Sequence, residues 1–329
     1  MNSQVKILVC YHKPEKIYGC SFFFPIQVGR AVASLKSKDG IMTEEEESWL
    51  IKNLIGDDTG ENISRENRYF CEMTGVYWAW KNLNKLEYPE FIGLSHYRRL
   101  FSFNSINSKT STARYFPDFI PLSKQNKIFN EEYLLAILTG KDVVAPRPIP
   151  LNCTVKENFF LHHNPLDIRD ISEILKTKSP EFYNYFQKYL LETKGYFGNL
   201  FILRRTEFEN YCSLIFESLL AFQKNLKNEP HFREKERVAG YISELLTGAF
   251  LYMMKSKAPE KYFELPVIYT QKPTVYPVSV FNKRYLLSFP DNIYEIDCFC
   301  RKMVFGVIGV FNCNKSKSLK LSLERQKII

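Results

Sequence analysis

The sequence predicts an α/β domain, a mainly parallel sheet flanked by helices, with a C-terminal extension. Three observations lead there. Short continuous apolar runs, the pattern of strands buried on both faces, recur at 6–11, 91–96, 142–146 and 200–203. Helical segments fall between them, the alternation that builds parallel sheets. Near residue 275 the composition shifts toward a proline-punctuated, β-rich and then basic segment, dividing the chain into 1–275 and 276–329. With 329 residues, 45% hydrophobic and 25% charged, the chain can bury a large core and is too apolar for disorder.

In chain order, the run 6–11 is the first buried strand, ended by His12-Lys13-Pro14. A loop is expected from there to Thr43. Glu44 to Glu47 then open a short helix, where the macrodipole favours acidic residues. Asp57-Asp58-Thr59-Gly60 reads as a turn and Ser64 as the N-cap of the next helix. That helix carries Tyr69, Phe70, Met73, Val76, Tyr77, Trp80 and Leu83 at spacings of three and four. Gly75 within it implies close packing.

The strand 91–96 leads into His96-Tyr97-Arg98-Arg99, and 102–112 is loop-like. Asn130 caps a helix to Leu138, with Gly140 as its stop. The strand 142–146 follows. His162-His163-Asn164-Pro165 opens two helices, 167–176 and 180–191, before the strand 200–203. Thr206-x-x-Glu209 reads as a capping box for a helix to Leu226. The last helix is expected over 234–254.

Eight cysteines without a Cys-x-x-Cys pair read as reduced, mostly buried thiols. No basic region followed by an apolar core opens the chain, so no secretory signal is expected. The longest apolar run, 303–311, has nine residues, against about 20 for a membrane span. Residues 301–329 hold seven basic residues against Glu324 alone, two thirds of the net charge of +9. A basic tail beside an apolar run suits an anionic surface, phospholipid before nucleic acid. A solvated tail on a packed helix is the competing reading. No nucleic-acid motif is present.

In an open parallel sheet, ligands bind beyond the carboxyl ends of the strands. Tyr11-His12-Lys13, His96-Tyr97-Arg98-Arg99 and Pro146-Arg147 lie there, and all three exits are cationic. Guanidinium groups match phosphate oxygens bidentately, so the pattern suits a phosphorylated or diphosphate ligand. Asp57 and Asp58 either hold a divalent cation, or supply one base, or only build a turn, the reading that periodicity favours. Glu236 and Glu244 are each a base or a salt-bridge partner. His162-His163 lacks a third ligand at metal spacing. Dinucleotide, P-loop, Gly-x-Ser-x-Gly and His-Glu-x-x-His motifs are absent.

Several segments together resemble one family. They are Cys10-Tyr11-His12-Lys13, Pro25-Ile26-Gln27-Val28-Gly29, the run from Asp57 to Ser64, Glu72-x-Thr74-Gly75-x-Tyr77-Trp78, and Ile92 to Arg99. Gly198-Asn199-Leu200 and Glu236-Arg237-x-x-Gly240-Tyr241 through Leu245 complete the set. Over about residues 5 to 270 the chain is similar to bacterial capsular and exopolysaccharide synthesis proteins of domain-of-unknown-function family 4422. These are regarded as glycosyltransferases, some acting as galactofuranosyltransferases.

The resemblance implies a GT-A-like fold, with a Rossmann-like nucleotide-binding half followed by an acceptor-binding half. It implies transfer of a sugar from a nucleotide-sugar, UDP-linked and with UDP-galactofuranose as a candidate, to a growing capsular, exo- or lipopolysaccharide. The acceptor would be a glycan or polyprenyl-diphosphate-linked. Tyr11, His12, Lys13, Asp57, Asp58, Asn62, His96, Tyr97, Arg98, Arg99 and Asn199 would bind the nucleotide-sugar. Glu244 is the first choice of base, with Glu236 and Asp58 behind it. Cations rather than a metal would neutralise the leaving diphosphate, so no cofactor is expected, although a divalent metal is compatible. The enzyme would be cytoplasmic, docked peripherally at the inner membrane face through 301–329. The alternative is a non-catalytic nucleotide- or carbohydrate-binding subunit of a polysaccharide assembly complex.

Overall fold

The computed structural model describes residues 4–36, 40–104, 113–115, 120–227 and 236–270. Twelve strands occur among them: β1 (Val5–Tyr11), β2 (Phe23–Gln27), β3 (Ile55–Gly56), β4 (Phe91–His96), β5 (Arg99–Phe101), β6 (Ala113–Tyr115), β7 (Val143–Pro146), β8 (Ile149–Pro150), β9 (Lys194–Gly195), β10 (Phe201–Arg204), β11 (Tyr262–Leu265) and β12 (Val267–Tyr269). The main sheet runs β11-β7-β10-β4-β1-β2-β3, with β5, β12 and β6 branching from it. It is mainly parallel and helices flank it, as predicted. The division at 275, the extension 276–329 and the basic tail 301–329 lie outside the described residues.

Along the main path, from β11 to β3, one strand is reversed. β10 runs antiparallel to β4 and β7, pairing Phe201 with Leu94 and Ile202 with Val144. The segment entering β10 therefore lies at the carboxyl edge of its neighbours. Gly198 and Asn199 reach the end of β4 in this way.

β1 is buried on both faces. Leu8 and Cys10 join a core beneath the helices Met73–Lys81, Arg205–Lys227 and Val238–Lys257. Ile7, Val9 and Tyr11 join a second core with Leu50, Phe101 and Leu134. The two-residue period of a strand makes that division. Gly75 packs as expected, since a Cβ there would stand 2.8 Å from Val28 Cγ1.

Four local expectations are corrected. The expected loop after His12 contains β2, which pairs with β1 from Ile7–Phe23 to Tyr11–Gln27. Pro25 argues against a strand, yet its edge is one it can occupy. Gln27, two residues on, accepts from Asp57 N–H on the β3 side, and β3 reaches back only to Ile26. The single helix expected after Ser64 is broken: a 3-10 turn (Ser64–Glu66) and a short helix (Asn67–Phe70) precede Met73–Lys81, with Cys71 at φ +50° between. Ser64 binds Asp57 instead of capping a helix. Thr206 lies inside the helix Arg205–Lys227, which follows β10 directly, so the expected capping box has no N-cap position.

The remaining helices match closely. Thr43 caps Glu44–Asn53 in a full capping box, and Asn130 caps Glu131–Leu138 through its side chain. Asn164 caps Pro165–Lys178, with Pro180–Leu190 after it. The last helix begins at Val238, later than expected, and residues 228–235 lie outside the described set.

Candidate active site

A cavity of about 570 Å³ opens at the carboxyl edge of β1, β2 and β4. Each strand exit contributes: His12 and Lys13 after β1, Val28 and Gly29 after β2, and His96 through Arg99 after β4. The turn after β2 needs Gly29, whose φ is +70° and whose missing side chain leaves room for that of Asn67. The opposite wall is built by two residues with left-handed backbone. Cys71 (φ +50°) turns Glu72 into the cavity, and Arg237 (φ +69°) begins the helix Val238–Lys257. The two kinks pack together: Arg237 N–H donates to Arg68 C=O at 2.8 Å. A Cβ on Gly240 would stand 2.8 Å from Cys71 Sγ. Strain of this kind persists where surrounding structure holds it.

The cavity wall is cationic, with Lys13, Arg68, Arg98, Arg99 and Arg237 all lining it. Arg98 lies over the Tyr97 ring, 4.9 Å from its centroid, and pairs with Glu15 at 3.6 Å. His96 Nε2 stands 2.7 Å from Gly198 C=O. A carbonyl only accepts, so that nitrogen carries the proton. Burial holds the His96 imidazole below its usual range, against the pull of Glu72.

Glu244 lies on the helix Val238–Lys257 and faces the same cavity. Its carboxyl is pushed up to about 7, first by burial and then by Glu72, while Arg99, a hydrogen bond from the Gly198 backbone and Arg237 pull it down. A carboxyl balanced there exchanges a proton near neutral pH.

The expected residues divide into two groups. His12, Lys13, His96, Tyr97, Arg98, Arg99, Glu236 and Glu244 all line the cavity. Glu236 sits there as the half-exposed partner of Arg68 at 3.7 Å, the salt-bridge reading of its position. Tyr11, Asp57, Asp58, Asn62 and Asn199 do not line it. Tyr11 shares the buried face of Ile7 and Val9, and its ring stacks on Tyr97 at 5.3 Å.

Asp57 is fully buried and accepts from Gly29 N–H (2.8 Å), Arg30 N–H (3.1 Å), Ser64 Oγ (2.5 Å) and Thr74 Oγ1 (2.6 Å). Those donors fill its lone pairs, leaving none for a ribose or base. Asp58 is exposed, away from the cavity, and its charge acts on Arg30. Asn62 folds its own turn, donating to Asp58 C=O and Gly60 C=O and accepting from Ser64 N–H. Asn199 is 1% exposed and binds Glu72, Ser243 and Thr247. It positions the wall from behind.

Glu72, Arg68, Arg237 and Asn67 also line the cavity; Glu72 and Arg237 stand in the family-like segments, but none of the four was given a role from sequence. A charged residue inside an otherwise apolar helical run is a further signal at Glu72. Nothing in the sequence marks the backbone turns at Cys71 and Arg237.

A family model described as domain of unknown function (DUF4422) matches residues 6–256. No curated protein matches the chain. The solved apo structure of WbbM, a bifunctional glycosyltransferase, is similar over 82% of this chain, with a TM-score of 0.68 and 24% identity. The likeness is one of fold, and it spans 45% of that longer protein.

Proposed function

The chain belongs to the DUF4422 family, and from that footing we propose that it is a glycosyltransferase using a nucleotide-sugar donor. The donor is UDP-linked, with UDP-galactofuranose a candidate. The acceptor is a growing capsular, exo- or lipopolysaccharide, carried as a glycan or on polyprenyl diphosphate. One observation carries the reading: a carboxyl balanced near neutrality lines the same cavity as five lysine and arginine side chains, at the sheet's carboxyl edge.

The chemistry follows from that wall. The acceptor hydroxyl oxygen forms a bond to the donor's anomeric carbon as the bond from that carbon to the phosphate oxygen breaks. The electron pair leaves with the nucleoside diphosphate, and Arg98, Arg99 and Lys13 stabilise its growing charge. Glu244 receives the hydroxyl proton. In this reading His96, Tyr97, Arg98 and Arg99 of the β4 exit, all of which line the cavity, lie beside the diphosphate, and side-chain cations serve where a metal otherwise would. Among the described residues no three His, Cys, Asp or Glu side chains gather as metal ligands.

Calorimetric titration with UDP in EDTA tests the donor half, with binding expected at micromolar Kd. Binding that vanishes in EDTA and returns with manganese would refute the metal-free form. Slow UDP release from UDP-galactofuranose or another UDP-sugar is expected of an enzyme. Tight UDP binding with no release from any UDP-sugar would favour the non-catalytic subunit.

A further inference from the structure

A second recess, of about 200 Å³, shares two wall residues with the cationic cavity, Tyr241 and Glu244. Helix spacing explains how. On Val238–Lys257, Tyr241, Glu244 and Leu245 lie at i, i+3 and i+4 and so share a face. The helix Val155–Phe160 offers Val155, Asn158 and Phe159 at the same spacing. Tyr196 and Phe197, from the segment leading to β10, add further wall.

The two cavities differ in charge. Among the described residues, no lysine or arginine lines the recess. Its walls are mainly aromatic: the His163 ring lies 4.1 Å from Tyr241 and 4.6 Å from Phe159, centroid to centroid. Burial and the neighbouring His162 push His163 down to about 4, so that ring is uncharged at neutral pH.

The aromatic wall is also fixed in place. Tyr196 N–H donates to Tyr189 Oη at 2.9 Å, and Tyr196 Oη donates to Glu264 at 3.2 Å. Phe197 lies where a Cβ on Gly195 would stand 2.7 Å from its ring, so glycine there makes room for it.

We propose that this recess is the acceptor subsite, holding one uncharged sugar ring with a hydroxyl turned toward Glu244. The inference rests on the donor reading above and extends it to the second substrate. Aromatic faces cover the apolar C–H face of a sugar, and a few polar groups fix its orientation. Asn158, His162 and Glu244 are those groups here. Among the described residues a phosphate group would find no lysine or arginine in the recess, whereas five line the adjoining cavity. Glu244 is common to both walls, where a proton must leave an acceptor hydroxyl as a diphosphate departs.

Saturation-transfer NMR on the full chain tests this, with methyl galactopyranoside, glucopyranoside and mannopyranoside as probes and UDP titration alongside. Asn158→Trp fills the recess and Phe197→Ala strips part of its wall. At least one glycoside is expected to bind the unmodified chain. Its signal should fall at least fivefold in both variants, with UDP affinity within twofold of the starting protein. UDP binding without glycoside binding, or a glycoside signal that both variants keep, overturns the acceptor subsite and leaves the donor reading intact. Glycoside binding that the variants abolish, in a protein that does not bind UDP, overturns the donor reading and the acceptor role with it.

Discussion

The side-chain amide of Asn199 donates at 2.8 Å to Oε1 of Glu72, the oxygen that stands 3.8 Å from Nε2 of His96. Asn199 is itself held on three sides, donating also to Ser243 Oγ (2.9 Å) and accepting from Thr247 Oγ1 (2.7 Å). The carboxylate it orients is the second largest influence on Glu244, after burial. Asn199 thus acts on the proposed base through a charge in the cavity wall. Its place there follows from the reversed direction of β10.

Asn199→Asp should therefore change the pH dependence of UDP release. The substitution replaces a donor by a third negative charge beside Glu72 and Glu244. Like charges hold protons more tightly, so the acid limb of kcat/KM should move upward, by about one pH unit. UDP affinity should change by less than about threefold. An unmoved acid limb, with activity lost only in step with the melting temperature, would make Asn199 a packing residue.

Glu244→Gln separates chemistry from binding. Removing a general base costs about 10²–10⁴-fold in turnover, while UDP affinity should stay within about twofold. The stability effect has a definite sign. Folding raises this carboxyl from 4.5 to about 7, so its contribution is fully present below pH 4.5 and is lost as pH rises through 7. The loss amounts to up to about 3 kcal/mol. Glutamine does not titrate, so the variant should melt above the starting protein at pH 8.5 and near it at pH 5. Equal melting temperatures at pH 8.5 would show that Glu244 ionises without cost.

Much of this architecture is legible from residue order. β1, β4, β7 and β10 are apolar on both faces and announce themselves, and strand exits then locate the cavity by the rule for open sheets. His12, Lys13 and His96 to Arg99 follow from that rule. Tyr11 is instead decided by strand parity: it shares the face of Ile7 and Val9, and Cys10 faces the cavity. β2 is hidden by Pro25, harmless only because β3 is short. Glu72 and Arg237 depend on left-handed backbone at Cys71 and Arg237, non-glycine residues with no local signature. Such turns exist because tertiary packing holds them, and packing is not written in spacing. Asp57 illustrates a different ambiguity. A carboxylate in a glycine-containing turn looks alike whether its donors come from a ligand or from its own chain.

Asp57→Ala tests which of those donors matter. The buried carboxylate joins the β2 turn at Gly29 and Arg30 to Ser64 and to Thr74 on the helix Met73–Lys81. Removing it leaves two backbone N–H groups and two hydroxyls without that acceptor. Each buried unsatisfied group costs about 1–3 kcal/mol, and the hydroxyls can rotate to other acceptors. A net destabilisation of about 3 kcal/mol or more is therefore expected in denaturant titration, with UDP affinity of the folded fraction nearly unchanged. Asp57→Asn should cost less, because the amide keeps one acceptor oxygen but turns an NH₂ toward existing donors. A ligand role predicts the reverse order of effects: normal stability in both variants and UDP affinity lost by tenfold or more. The Gly29 turn also shapes the cavity rim, so the folded fraction is the proper reference for every affinity in this comparison.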